Sequence, residues 1–148
     1  MRIDIPWNKK KLVARLIDPD NAGDAAIAIA AGHAAAAGVD LFLAGGSLTS
    51  VPVGEVIRRL KLLSKIPVVL FPGNLTQLTT EADVVFLLSL ISGRNPELLI
   101  GNHVIAAPFL KNIRERIIPV GYMLVGCGGG TSVEYMSQTS PIPYGKND

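Results

Sequence analysis

The chain has 148 residues and a net charge of only +2, and it is 49% hydrophobic and 18% charged with a mean hydropathy of +0.38. That composition supplies one packed domain and excludes a disordered chain, while the absence of a basic stripe with interleaved aromatics argues against nucleic acid as a partner. A single cysteine, Cys127, leaves no internal disulfide and fits a reducing cytoplasm.

The first strand is predicted over 12–17, followed by Asp18-Pro19-Asp20-Asn21, which stops it and offers helix caps. No signal peptide is read, because Arg15, Asp18 and Asp20 interrupt the early apolar residues. A helix over 22–37 ends at Gly38. The longest apolar stretch, 25–39, is alanine-rich and contains His33, so it reads as a buried helix and not a transmembrane segment. A second strand covers 39–44. The helix over 53–64 has Val53, Val56, Ile57, Leu60 and Leu63 as one apolar stripe, with Arg58, Arg59 and Lys61 facing away. Thr49 or Ser50 is its expected cap, with Pro52 in the first turn.

The third strand is placed at 67–71, and 75–80 is at most a short helix. The fourth strand covers 83–89. Asn95 caps a helix that starts with Pro96 and runs to about 113, with a kink expected at Pro108. The fifth strand covers 117–125, and from Gly126 onward the chain reads as loop. Apolar strands alternating with helices imply a parallel sheet covered on both faces, either doubly wound or part of a (β/α)8 barrel.

The polar and glycine-rich signatures nearly all follow strand ends, where both architectures bind ligands. These are Asp18-Pro19-Asp20, Gly45-Gly46-Ser47, Pro72-Gly73-Asn74, the run 89–95 and the run 126–132. Asp18 suits a Mg²⁺ ion that also binds substrate phosphate, and it equally suits a helix cap. Asp20 reads as a cap. Gly45-Gly46-Ser47 lets backbone approach a phosphate, with Ser47 as an oxygen ligand, although such triplets are also common turns. Gly128-Gly129-Gly130-Thr131 has the same two readings and lacks the lysine of a P-loop. Arg94 is placed to hold an anion. Tyr122 reads as core, His33 and His103 as structural or surface residues, and Cys127 as a bystander.

Taken in order, several motifs resemble the geranylgeranylglyceryl phosphate synthase (PcrB-like) family. They are Leu16-Ile17-Asp18-Pro19-Asp20, Ala44-Gly45-Gly46-Ser47, Val69-Leu70-Phe71-Pro72-Gly73-Asn74, Ser89-Leu90-Ile91-Ser92-Gly93-Arg94-Asn95-Pro96, Ile100-Gly101, Ala106-Ala107-Pro108 and Ile118-Pro119-Val120-Gly121-Tyr122. The resemblance spans essentially the whole chain. It implies a TIM barrel and a Mg²⁺-dependent prenyltransferase of ether-lipid biosynthesis in the cytoplasm. The donor would be a prenyl diphosphate and the acceptor sn-glycerol 1-phosphate. By motif, Asp18 and Ser47 would bind Mg²⁺, and Gly45, Gly46, Arg94, Asn95 and Tyr122 would bind substrate, with Tyr122 as catalytic residue. The interior near Phe71 and Leu90 would lead to the prenyl tail.

The chain departs from the family pattern at Asn21, where a lysine is usual, at Gly93, and at Gly126-Cys127, where Glu-Pro is usual. It also holds five predicted strands where the family continues through further β/α units. The expectation is one incomplete barrel domain over 1–148, with open sheet edges that favour a homo-oligomer. A non-catalytic fragment, or an unrelated phosphate-binding α/β module, stands as the alternative.

Overall fold

A computed structural model describes residues 5, 7–9, 11–126 and 130–145. Five parallel strands lie side by side in chain order: β1 (Ala14–Ile17), β2 (Leu41–Ala44), β3 (Val68–Leu70), β4 (Val84–Leu90) and β5 (Ile117–Tyr122). Each strand pairs with its sequence neighbours, from Ala14 opposite Leu41 to Leu90 opposite Tyr122. A doubly wound sheet would reverse strand order at a switch point. Here no reversal occurs, so the sheet is an arc of a (β/α)8 barrel.

The two faces of the sheet differ. Phe42, Ala44, Val68, Leu70 and Val85 point toward the helices, α1 (Asp24–Ala36), α2 (Val53–Leu63) and α3 (Asn102–Leu110), and share one core with Ile27, Val56, Leu60 and Ala106. Leu41, Val69 and Val84 point to the inner face and pack with Ile5, Leu43, Phe86 and Ile118. This alternation follows from the two-residue repeat of a strand.

Helix α1 starts two residues later than its sequence pattern indicates, because Pro19–Asn21 forms a 3-10 turn of its own, capped by Asp18. Gly38 adopts a left-handed φ of 70° just past the helix, as its type requires. One face of α1 buries Ile27, Ala30, Ala31 and Ala34, while Ile29 is exposed. No helix among the described residues is long and apolar enough to cross a membrane. Helix α2 buries Val53, Val56, Ile57 and Leu60 as its stripe predicts, but Leu63 at its end is exposed. Arg58, Arg59 and Lys61 reach across to Glu81, Asp24 and Asp83.

Three expectations are corrected. Neither Thr49 nor Ser50 caps α2; its N-cap position is Pro52, which makes no side-chain bond. The carboxylate of Asp20 instead takes the free N–H groups of Ser50 and Val51. Pro108 does not kink its helix: α3 runs through it, and the irregular stretches fall on either side, a π-helical turn at Glu97–Gly101 and a non-helical φ of −122° at Ile113. Proline's fixed φ is itself helical, so α3 continues through Pro108 at the cost of one backbone hydrogen bond. The tail is not all loop. It forms α4 (Ser132–Ser137), and β6 (Val125–Gly126) pairs with β7 (Ile142–Pro143). The signal for α4 is present in the sequence as Thr131-Ser132-Val133-Glu134, a capping box in which Thr131 and Glu134 bond each other's backbone N–H.

Candidate functional site

The strands' C-terminal ends open into a cavity of about 240 Å³. Asp18, Gly45, Gly46 and Ser47 line one side and Tyr122 another; Leu16, Phe71, Leu88 and Leu90 form apolar walls, and Val133 and Met136 of α4 close over it. Among the described lining residues there is no lysine or arginine. A second, apolar cavity of about 50 Å³ shares Pro72, Leu88, Leu90 and Leu98 with the first and runs between β4 and α3. It exists because the β3–β4 connection holds only a 3-10 turn, Leu75–Gln77, where a barrel unit has a helix.

Asp18 follows β1 directly. One carboxylate oxygen accepts the Asp20 N–H at 3.1 Å and the other accepts from Asn21 Nδ2 at 3.4 Å. It is therefore a cap, and it also faces the site: a methyl group on Gly46 would lie 3.4 Å from its Oδ1. Asp20 is turned away from the cavity. It accepts the N–H groups of Ser50 at 2.8 Å and Val51 at 2.9 Å, and the Ser50 hydroxyl at 3.1 Å. These bonds, that from Val51 first, hold its carboxyl below the usual aspartate range against the opposing effect of burial.

The loop after β2 is locked against the loop after β3. Gly45 has φ 149°, and a Cβ there would sit 1.9 Å from the Phe71 carbonyl oxygen. A Cβ on Gly73 would sit 2.1 Å from the Gly46 carbonyl oxygen. Glycine is required at both positions by close backbone approach. The buried Gln77 side chain, which sequence reading passed over, bridges the two loops. Among the polar neighbours Asn74, Thr76 and Thr79, nothing in the sequence singles it out.

Tyr122 ends β5, half-buried, its ring edge-on to Phe71 with centroids 5.7 Å apart. It is thus brought to the wall of the cavity that Asp18 and Ser47 also line and is not sealed in the core. Arg94 and Asn95 are not brought there. The Arg94 guanidinium donates to the carbonyls of Ser92 and Gly93 in its own loop. Asn95 donates to the Met136 carbonyl at 2.8 Å and accepts the Glu97 N–H at 3.1 Å, so both ends of its amide hold α4 and the helical turn in place. Gly93 has the same purpose, since a Cβ there would lie 2.8 Å from the Ser137 carbonyl oxygen. His103 bonds the Leu88 carbonyl at 2.8 Å and His33 is exposed. Cys127 and Gly128-Gly129 lie outside the described residues. Among the described residues, no three His, Cys, Asp or Glu side chains gather closely enough to hold a metal by themselves.

Known proteins resemble this chain in sequence and fold. The geranylgeranylglyceryl phosphate synthase of Spirosoma linguale is 46% identical over 98% of this chain and 59% of its own length. That of Chitinophaga pinensis is 48% identical over 93% of this chain and 55% of its own. The crystal structure of (S)-3-O-geranylgeranylglyceryl phosphate synthase from Thermoplasma acidophilum, in complex with sn-glycerol-1-phosphate, superposes with a TM-score of 0.81 at 28% identity, over 92% of this chain and 55% of that one. The chain thus spans about half to three-fifths of the length of the relatives it matches. The model describing the PcrB family matches residues 5–148, through every strand end that lines the cavity, and with the sequential barrel arc and these relatives it shows that the chain belongs to the PcrB family.

Proposed function

We propose that this chain carries the donor half of a prenyltransferase site, which in the whole protein moves a prenyl group from a prenyl diphosphate to sn-glycerol 1-phosphate, giving an ether-lipid precursor. One observation carries the reading. The cavity places a carboxylate, Asp18, beside a glycine-serine loop, with no cationic side chain among the described lining residues. A diphosphate at Gly45, Gly46 and Ser47 would be repelled by Asp18 without a divalent cation. The donor set fits Mg²⁺: a carboxylate from Asp18, a hydroxyl from Ser47, and substrate phosphate oxygens and water for the rest. When bound, Mg²⁺ supplies charge neutralisation for the departing diphosphate.

The chain's own residues do the positioning. Gly45 and Gly46 leave room for phosphate oxygens against the backbone. Phe71, Leu88 and Leu90 give the prenyl tail an apolar path from the phosphate end toward the small cavity between β4 and α3. The transfer breaks the bond between the allylic carbon and the diphosphate oxygen and forms an ether bond to the acceptor hydroxyl, whose proton passes to the departing diphosphate or to water. Positive charge develops on the allylic carbon, and the Tyr122 ring, which lines the cavity, would stabilise it through its π face. Arg94 and Asn95 act on the site through the loop that holds α4. A cytoplasmic location belongs to the same reading, supported by the lone cysteine and the water-soluble acceptor.

The test is a prenyl-transfer assay on this chain with Mg²⁺, a series of prenyl diphosphates and sn-glycerol 1-phosphate, beside calorimetric binding of the donor. Donor binding that requires Mg²⁺ and weakens by roughly 100-fold in Asp18→Ala supports the reading. Binding without turnover identifies this chain as a donor-binding module. Equal binding by wild type and Asp18→Ala overturns the metal assignment.

A further inference from the structure

We propose that Gln77 is a positioning residue of the donor site: from beneath the cavity, its buried carboxamide holds the loop bearing Gly46 and Ser47 in register with the loop bearing Gly73. This rests on the donor-site reading above. Gln77 is only 3% exposed, which for a glutamine demands hydrogen-bond partners on both ends of the amide. It has them. Its Oε1 accepts the Gly73 N–H at 3.1 Å and the Gly46 N–H at 3.4 Å. Its Nε2 donates to the Gly46 carbonyl at 2.6 Å and the Thr49 hydroxyl at 3.0 Å. One side chain therefore joins two loops that are 31 and 4 residues away from it in sequence.

The turn that carries Gln77 is itself fixed. Asn74 accepts the Thr76 N–H at 2.9 Å and the Thr76 hydroxyl at 2.6 Å. The close approaches at Gly45 and Gly73 leave the two loops no room to slide. Asp20 secures the far end of the same loop through Ser50 and Val51. The loop is thus pinned at both ends, and Ser47 lies between the pins. Gln77 does not line the cavity with Ser47 and Asp18. Its effect on a ligand is indirect, by presenting these groups before the ligand arrives, and groups placed beforehand bind without an ordering cost.

The test measures two things in parallel on the 148-residue chain: affinity for inorganic pyrophosphate with Mg²⁺, by calorimetry, and amide hydrogen exchange at Gly46, Ser47 and Gly73. Gln77→Met keeps the volume and removes all four bonds. It is expected to weaken binding about 10- to 100-fold and to speed exchange at those amides, with circular dichroism unchanged. Asp18→Ala is expected to lose binding with loop exchange as in wild type. Thr49→Val removes a single bond and is expected to weaken binding about 5-fold. Faster loop exchange with wild-type affinity in Gln77→Met would make Gln77 a purely structural residue and overturn the proposal. If Gln77→Met does not fold, Thr49→Val decides, and wild-type affinity there overturns it. A wild-type chain that binds no pyrophosphate overturns the donor-site reading and this proposal together. A wild-type chain that binds, with Asp18→Ala weak and Gln77→Met normal, overturns this proposal alone.

Discussion

Gly45 and Gly38 both sit outside the backbone region that other residues prefer, yet their surroundings differ. Beside Gly45 a Cβ would strike the Phe71 carbonyl oxygen, whereas at Gly38, φ 70°, nothing lies within 4 Å. Gly45→Ala is expected to lose about 3 kcal/mol of stability in a urea titration, because backbone must shift as well as adopt a strained angle. Gly38→Ala is expected to lose about 1 kcal/mol, the conformational term alone. Equal losses would show that the β2 and β3 loops yield more easily than their contact implies. Asp40 makes a second residue-scale case. It accepts from Lys9 Nζ and from the Val13 N–H at 2.9 Å, and these bonds, Lys9 first, hold its carboxyl below the usual aspartate range. A carboxyl lowered in the folded state contributes stability above its unfolded pKa, about 3.9, and loses it as pH falls through the lower folded value. The stability difference between wild type and Asp40→Asn is therefore expected to stay constant from neutral pH to about 5 and to shrink below about 4. A difference that grows in acid would contradict the assigned contacts.

Among the elements, α4 is the one whose presence depends most on its ends. It has six residues, too few to be stable alone, and it is held by a capping box at Thr131 and Glu134 and by Asn95 and Arg94 at its other end. The Ser137 carbonyl accepts the N–H groups of both Arg94 and Asn95. Because α4 covers the cavity, loosening it exposes the site. Thr131→Ala is expected to destabilise α4 by about 1 kcal/mol, seen as roughly fivefold faster amide exchange over 132–137 with exchange in β3 unchanged. Wild-type exchange in that variant would mean that the Asn95 loop alone holds the helix. The long helix predicted from Asn95 onward shows the opposite balance. Its cap and first proline behave as their types require, but its interior is divided into π, α and 3-10 stretches. Those transitions are not marked by residue types at 97–116.

The whole molecule presents a barrel arc with edges. Strands β1 and β5 each pair on one side among the described residues, and Leu16 on the inner side of β1 is 55% exposed. Unpaired parallel edges and an open inner face favour association. At tens of micromolar the chain is expected to sediment as a dimer or larger species, and a charged substitution on that inner face, Leu16→Lys, is expected to shift it toward monomer. A well-folded monomer at that concentration would show that the five-stranded arc is self-sufficient.

Much of this was legible in residue types. The alternation of apolar runs with amphipathic stretches names the strands and helices, since a two-residue or 3.6-residue repeat is a local property. The strand-end positions of Asp18, Gly45, Gly46 and Ser47, and the stripe of α2 as far as Leu60, follow from the same local rules. Sequence left three matters open. The choice between a barrel arc and a doubly wound sheet depends on strand order, which is a long-range pairing. The roles of Tyr122, Arg94 and Asn95 depend on which face of an element meets the cavity and which atoms are already bonded, and it was Tyr122 that reached the cavity while Asn95 became a brace. Gln77 carries no local signal of its purpose, because a glutamine gains meaning only when two loops distant in sequence fold against it. Periodicity and capping are written in neighbouring residues, so the chain itself determined its elements and the end at which ligands bind. Hydrogen bonds and close contacts between distant segments cannot be read from neighbours, so only the tertiary structure decided which of those residues meet and how firmly they are held.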